Sequence, residues 1–307
     1  MKQRILFLSV TTLFLSLIFT SCQKDSTTVD NTDEVSKHSD DQSRFSAETD
    51  AVANDADAIL ETTPYFTNRG EQVQSVICDA TVVVDTLSNP RTVTITYNGT
   101  NCLGNRTRTG VVILSMPAGM HWRNAGAILT ITYQNLKITR ISDNKSITIN
   151  GSHTITNVSG GLLINLPNLG TITHTINSNG MSITFDDSTQ RSWQVGKQRT
   201  FTYNNGVVIT TTGTHTEGTT TGITEWGTNR LGHAFTSSIL EPMVVRQDCS
   251  FRLVSGKIKH VTTVISATAT FGLDINGNPT TCPGAGHYYF KVEWTGPGGT
   301  RSIILPY

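Results

Sequence analysis

From residue 79 onward the sequence alternates. Thr92-Val-Thr-Ile-Thr-Tyr97, Leu129-Thr-Ile-Thr-Tyr133 and Lys145-Ser-Ile-Thr-Ile149 place an apolar residue at every second position and a polar one between. A strand turns successive side chains to opposite faces, so the pattern calls for strands with one buried and one wet face. Thr supplies 50 of the 307 residues, and it suits a half-buried pleated surface better than a helix. Strand-like runs recur about every 8–12 residues to the C-terminus. The expected fold class is all-β: a long antiparallel meander of roughly fifteen or more strands, as a curved single sheet or a sandwich, with one short N-terminal helix.

Asn-Gly pairs mark hairpin turns, because both residues accept the positive φ that a type I′ turn requires. Asn179-Gly180 is read as joining 171–178 to 181–186, with Ile176 opposite Ile183 and His174 opposite Phe185. Asn205-Gly206 is read as setting Tyr203 opposite Val208, and Asn276-Gly277 as a third turn.

Charged residues make up 15% of the chain, against about 25% in an average soluble domain. With no basic excess, nothing points to nucleic acid. The net charge of zero is uneven along the chain. Residues 1–22 carry two bases; residues 23–57 hold ten acids against three bases; residues 58–307 hold eighteen bases against thirteen acids. An acidic stretch before a mildly basic body marks a linker.

Met1-Lys2-Gln3-Arg4 is a positive n-region, and Ile5 to Phe19 is an apolar run too short for a span of about 20 residues. It reads as a secretory signal over 1–21. Phe19-Thr20-Ser21-Cys22 resembles a bacterial lipobox, which implies a thioether-linked diacylglycerol on Cys22 and anchorage by acyl chains. Gln23-Lys24-Asp25-Ser26 looks like the export signal that sends Bacteroidetes lipoproteins to the outer face of the outer membrane.

Residues 22–45 hold few apolar side chains beyond Val29 and Val35, so they are expected to be an acidic, disordered tether. Residues 46–77 follow as a helix and connector. Ser46 is the expected cap of a helix near 47–61, whose apolar stripe is Val52, Ala56, Ile59 and Leu60, and which ends before Pro64. Residues 78–307 are the β body. Beyond Cys22, the cysteines are Cys78, Cys102, Cys249 and Cys282, an even number in an exported chain. Three pairings are open; proximity in sequence favours Cys78–Cys102 and Cys249–Cys282.

Several landmarks of the body are similar to a family of Bacteroidetes lipoproteins: Tyr97-Asn-Gly-Thr-Asn-Cys-Leu-Gly-Asn-Arg-Thr-Arg-Thr-Gly110, Gln190-Arg-Ser-Trp-Gln-Val-Gly196, and Leu240-Glu-Pro-Met-Val-Val245 followed by Cys249 and Val254-Ser-Gly256. The resemblance covers about 46–307. It implies the fold and an outer-membrane, cell-surface location, and leaves activity open. Thr281-Cys282-Pro283-Gly284 departs from the family's Gly-Asp-Gly-Thr-Cys-Asp form.

Reactive chemistry is sparse in the pattern. Asp186 and Asp187 are neighbours on one strand end and point apart, so a hydrolytic pair would need one of them with Glu225 or Glu293. The eight His lack metal-ligand spacing, and no metal or cofactor is expected. Trp122, Trp193, Trp226 and Trp294 are candidates for a sugar-stacking platform. Asp25-Ser-Thr27, Asp85-Thr-Leu87 and Asp187-Ser-Thr189 match the Bacteroidetes O-glycosylation pattern, with Ser26, Thr86 and Ser188 as acceptors. The expected function is a non-catalytic surface lipoprotein, a binding or structural module. Its partners would be the membrane, through the anchor, and a glycan or outer-membrane protein. The alternatives are a carrier of an apolar ligand or lipid in a curved β groove, and a glycan-active hydrolase.

Overall fold

The computed structural model describes residues 32–62, 77–178, 180–282, 286–296 and 299–307. The signal sequence, Cys22, Gln23–Ser26 and the candidate acceptor Ser26 lie outside the described residues. One long helix, α1 (Thr32–Thr62), precedes sixteen strands. These are β1 (Ala80–Asp85), β2 (Arg91–Thr100), β3 (Arg106–Met116), β4 (Ala127–Arg140), β5 (Ser146–Asn157), β6 (Thr171–Ser178), β7 (Met181–Phe185) and β8 (Gln190–Tyr203). There follow β9 (Val207–Gly213), β10 (His215–Glu217), β11 (Thr220–Thr228), β12 (Ala234–Arg246), β13 (Arg252–Thr262), β14 (Ser266–Leu273), β15 (Tyr289–Gly296) and β16 (Gly299–Pro306). All sixteen join one antiparallel sheet whose strands run mostly in sequence order, with β1 and β16 at its ends. The fold is the expected all-β meander, built as a single sheet.

The sheet curls around α1. Within little more than one turn, Asp40 reaches Arg140 on β4, Gln42 reaches Arg191 on β8, and Asp41 reaches Arg230 just beyond β11. β4 and β11 are four places apart in the strand order, with β5, β7 and β8 in between. On a flat sheet that is about 19 Å, wider than a helix of about 10–12 Å. The core therefore lies between the helix and the concave face. Phe45, Val52, Ala53, Ala56, Ile59 and Leu60 enter one cluster with the inward residues of β2–β8.

Two expectations about the N-terminal region change. The helix starts at Thr32 rather than near 47, so residues 32–45 are helical and not a tether. Ser46 is not a cap: it lies mid-helix and donates a hydrogen bond to Glu225 (3.2 Å). The reason is the composition of the buried stripe. His38, Asp41, Gln42, Phe45, Glu48, Thr49, Val52, Ala56, Ile59 and Leu60 are all buried at spacings of one to four residues, so the helical period is intact. Its first half is polar, which hides it from a search for apolar periodicity.

Two hairpin readings also change. β6 and β7 do not pair with each other. Both run antiparallel to β5, with His153 opposite Ser178 and Asn150 opposite Ser182, and both pair on their other side with β8. They form one interrupted strand, with Gly180 (φ 86°) at the interruption, so Ile176 and Ile183 are inward residues of a single strand line, with Met181 between them. The Asn205-Gly206 hairpin forms, with Tyr203 opposite Val207 rather than Val208. Its loop has three residues, Asn205 taking the left-handed conformation (φ 53°), and the odd loop moves the register by one. The turn at Asn276-Gly277 is present, held by Asp274, which accepts hydrogen bonds from the Asn276 and Asn278 amides.

A line of breaks crosses the sheet and lets it bend. Register shifts fall at Thr109/Val111, Tyr133/Leu136, Ile239/Val244 and Thr270/Leu273, and the interruption between β6 and β7 lies between them. Bulges of this kind bend strands and increase twist. Glycine is required where backbones meet there. Gly110 (φ 114°) would drive a Cβ into the Asn135 carbonyl, and Gly151 (φ 110°) would place one 2.9 Å from the Met181 Cα. Gly110→Ala should therefore cost at least about 2–3 kcal/mol in urea unfolding. Gly104→Ala, at φ 68° with open space around it, should cost only about 1 kcal/mol.

Candidate functional site

The concave face is a trough lined with cations, and α1 lies in it as an acidic rod. Arg230 Nε donates to Asp41 (2.7 Å), Arg106 pairs with Glu48 (3.0 Å), and Arg108 Nη1 reaches Asp55 (2.8 Å). Asp41, Glu48 and Asp55 are spaced by seven residues, so they share one helical face. Asp40 pairs with Arg140 (3.3 Å) and Asp50 with Arg199. Arg44 runs the other way, donating to the backbone carbonyls of Ile138 (3.2 Å) and Lys145 (2.6 Å).

The cations also lie on aromatic rings, which strengthens them where water is excluded. Arg108 sits 4.3 Å over Tyr97, Arg191 4.3 Å over Phe235, and Arg230 3.5 Å over Phe185. The tightest knot is at Arg108. It grips Asp79 with two bonds (2.7 and 2.6 Å) while holding Asp55, and Asp55 accepts from the Tyr97 hydroxyl (2.8 Å). This knot ties α1, β2, β3 and the residue preceding β1 together.

At the centre, Lys197 pairs with Glu225 (2.6 Å), both buried. Burial would push the Glu225 carboxyl up, but Lys197 outweighs it and holds the group below its ordinary value. Burial wins at Asp41 and Glu48, whose carboxyls are raised despite their arginines. Burial, helped by neighbouring positive groups, lowers His38 to about 2, His153 to about 3 and His174 to about 4. His260 Nδ1 and the Ser237 hydroxyl are 2.7 Å apart, and the His260 ring lies edge-on to His38 (5.2 Å).

The residues singled out for hydrolysis do not converge. Asp186 and Asp187 sit at the exposed β7–β8 turn, where Asp187 accepts from the Thr189 amide (3.0 Å) and also meets Arg230 (3.4 Å). Glu225 is occupied by Lys197, and Glu293 pairs with Lys291 (3.0 Å). The aromatic platform does not form either. Trp122, Trp193 and Trp294 are buried, and Trp226 is half-buried and stacked on His215 (4.0 Å). A flat exposed row would need indoles on the wet face, and three of the four point inward.

The cysteines pair as Cys78–Cys102 and Cys249–Cys282, with Cα separations of 5.3 and 5.1 Å. Asp248 lies beside the second pair, whose sulfurs are committed to each other. Thr86 and Ser188 both lie in Asp-braced turns. Asp85 accepts from the Leu87 and Ser88 amides (2.9 and 3.2 Å), and Asp187 braces the turn at Ser188 (φ 66°).

Sequence reading did not pick out the trough cations. The available signal was their parity. Arg106 and Arg108 share the inward set of β3 with Val112, Leu114 and Met116, and Arg191 and Lys197 share that of β8 with Trp193 and Val195. No family model, no curated protein and no solved structure matches this chain.

Two consequences are measurable. Arg108→Met removes the guanidinium that grips the fully buried Asp79 carboxylate, and should cost about 3–5 kcal/mol by chemical denaturation. Asp79→Asn with Arg108→Met should recover part of that loss. The buried histidines set the pH response. Their folded pKa values are depressed, so the unfolded chain takes up protons first as pH falls below about 6.5. Each then removes up to about 1.6 kcal/mol of stability between pH 6.5 and 5. Asp41 and Glu48 act in the opposite sense, and the stability that Glu225 contributes is lost only as pH falls through the ordinary carboxylate range and below it. Net stability should fall across this window, and His153→Gln should flatten the fall.

Proposed function

We propose that the protein is a lipid-anchored outer-membrane protein facing the cell exterior, which acts without catalysis as a binding or structural module. The N-terminal pattern of Cys22 and Gln23–Ser26 and the resemblance to Bacteroidetes lipoproteins support the location. One structural observation carries the choice among functions: the concave face of β2–β8 is filled by the chain's own helix. A carrier of apolar ligands needs that face open. A glycosidase needs two carboxylates across a cleft, and the candidate carboxylates lie apart or in ion pairs.

The convex face is left for partners. Its cross-strand neighbours include a row of hydroxyls, Thr92–Ser115–Thr130–Thr154, on four adjacent strands. Strand spacing sets these about 4.8 Å apart. Such a row offers alternating donors and acceptors suited to a polyhydroxyl chain. A glycan or a glycosylated surface protein is the partner this chemistry fits.

Protease shaving of intact cells tests the location. The band should disappear without permeabilisation, and Cys22→Ser should move the protein from the membrane to the soluble fraction. A band that survives until the outer membrane is permeabilised would overturn the outward orientation. Membrane retention of Cys22→Ser would overturn the anchor.

A further inference from the structure

We propose that the trough is a binding site for an acidic amphipathic helix, and that α1 is its resident but exchangeable occupant. The inference deepens the reading of this protein as a binding module by naming the chemistry of one partner: a protein segment, helical when bound, with carboxylates at seven-residue spacing on one face and small aliphatic residues beyond them.

Three observations carry it. The first is charge. The trough offers Arg106, Arg108, Arg140, Arg199 and Arg230, and the helix answers with Glu48, Asp55, Asp40, Asp50 and Asp41. A neutral or basic helix would take Glu48 from Arg106 and Asp50 from Arg199, and would strip one of the carboxylates from each of Arg108, Arg140 and Arg230, so the site discriminates for acids.

The second is the mode of attachment. The hydrogen bonds and ion pairs of α1 described above are made through its side chains, and the strand ladder runs from β1 to β16 without it. Helix withdrawal breaks no strand pairing.

The third is misfit. At the N-terminal part of the trough, both ring nitrogens of His38 lack a hydrogen-bond partner. So do Arg191 Nε and Nη1, although Arg191 is only 1% exposed. A buried donor or acceptor left unmade costs about 1–3 kcal/mol. Arg191 and His260 are the charged and titratable neighbours of His38. α1 therefore places a neutral ring where the trough presents an arginine. A helix with a carboxylate there would meet Arg191 and fit better than α1 does.

The test uses the purified full-length chain and a labelled synthetic peptide of residues 32–62, read by fluorescence anisotropy. The receptor variant is Asp41→Asn with Asp55→Asn, which weakens α1 in place and leaves every trough residue intact. The peptide should bind this variant at least ten-fold tighter than it binds the wild type, and more weakly as salt rises. A peptide carrying His38→Glu should bind tighter again. Absence of saturable peptide binding to a variant with native circular dichroism would overturn the proposal. So would displacement of the probe by anionic lipid vesicles but not by unlabelled peptide, which would assign the trough to lipid.

Hydrogen exchange on the wild-type chain keeps the proposal testable if the variant fails to fold. The α1 amides should open together at least ten-fold more often than those of β3–β5. Equal protection would overturn exchange of the helix. These outcomes are read on purified protein, so they are independent of the shaving result.

Discussion

A single open sheet has two faces, and only one of them can be left to water when its residues alternate apolar and polar. The inward face of β2–β8 carries Val93, Ile95, Leu114, Leu129, Ile131, Ile149 and Ile183, each with essentially no exposure. Among the described residues no second sheet covers them. The helix that does is amphipathic in an unusual way, polar at its start and aliphatic at its end. Its aliphatic half supplies the cohesion. Its carboxylates set where along the trough it lies, because Asp41, Glu48 and Asp55 each have one arginine to meet. Buried ion pairs add little net stability over apolar contacts, but a slip by one turn would strand several charges at once. Position is what they specify.

The bend of the sheet is the complementary requirement. Strands of ten or more residues would twist past the helix if they were regular. The bulges, and the two interrupted lines formed by β6 with β7 and β9 with β11, divide long strands into two segments of different direction. The glycines at Gly110 and Gly151 serve this purpose: they lie where one strand's bend brings its backbone against the next.

The fold class was legible because alternation is a local property, visible in Thr92–Tyr97 or Leu129–Tyr133 without knowledge of what the inward residues face. The disulfide pairing was legible for the same reason, since each pair closes a short stretch of chain. Hairpins were less so. Asn179-Gly180 carries the signature of a tight turn, yet β6 and β7 on either side of it belong to a continuing strand line, because β5 on one side and β8 on the other both pair across the break. The trough was least legible. Arg191 and Lys197 are inward by parity, but a charged residue at an inward position reads as noise until its partner is known. Those partners lie on a segment whose composition suggests a solvated chain. Asp40, Asp41, Glu48, Asp50 and Asp55 of the acidic stretch meet arginines of the basic body across one interface, separated by up to 189 residues in the contact of Asp41 with Arg230.

That separation bears on how the chain assembles. Most strands pair with a neighbour in sequence, so the sheet can grow hairpin by hairpin with short loops to close. The helix contacts span 94 residues for Arg44 with Ile138 and 179 for Ser46 with Glu225. The helix is made before every strand, and its binding surface is finished late, when β11 and β12 have been laid down. Until then the aliphatic floor of the growing sheet has no cover. The nascent chain makes this cover ahead of the sheet and must keep it unattached while more than half of the strands are built.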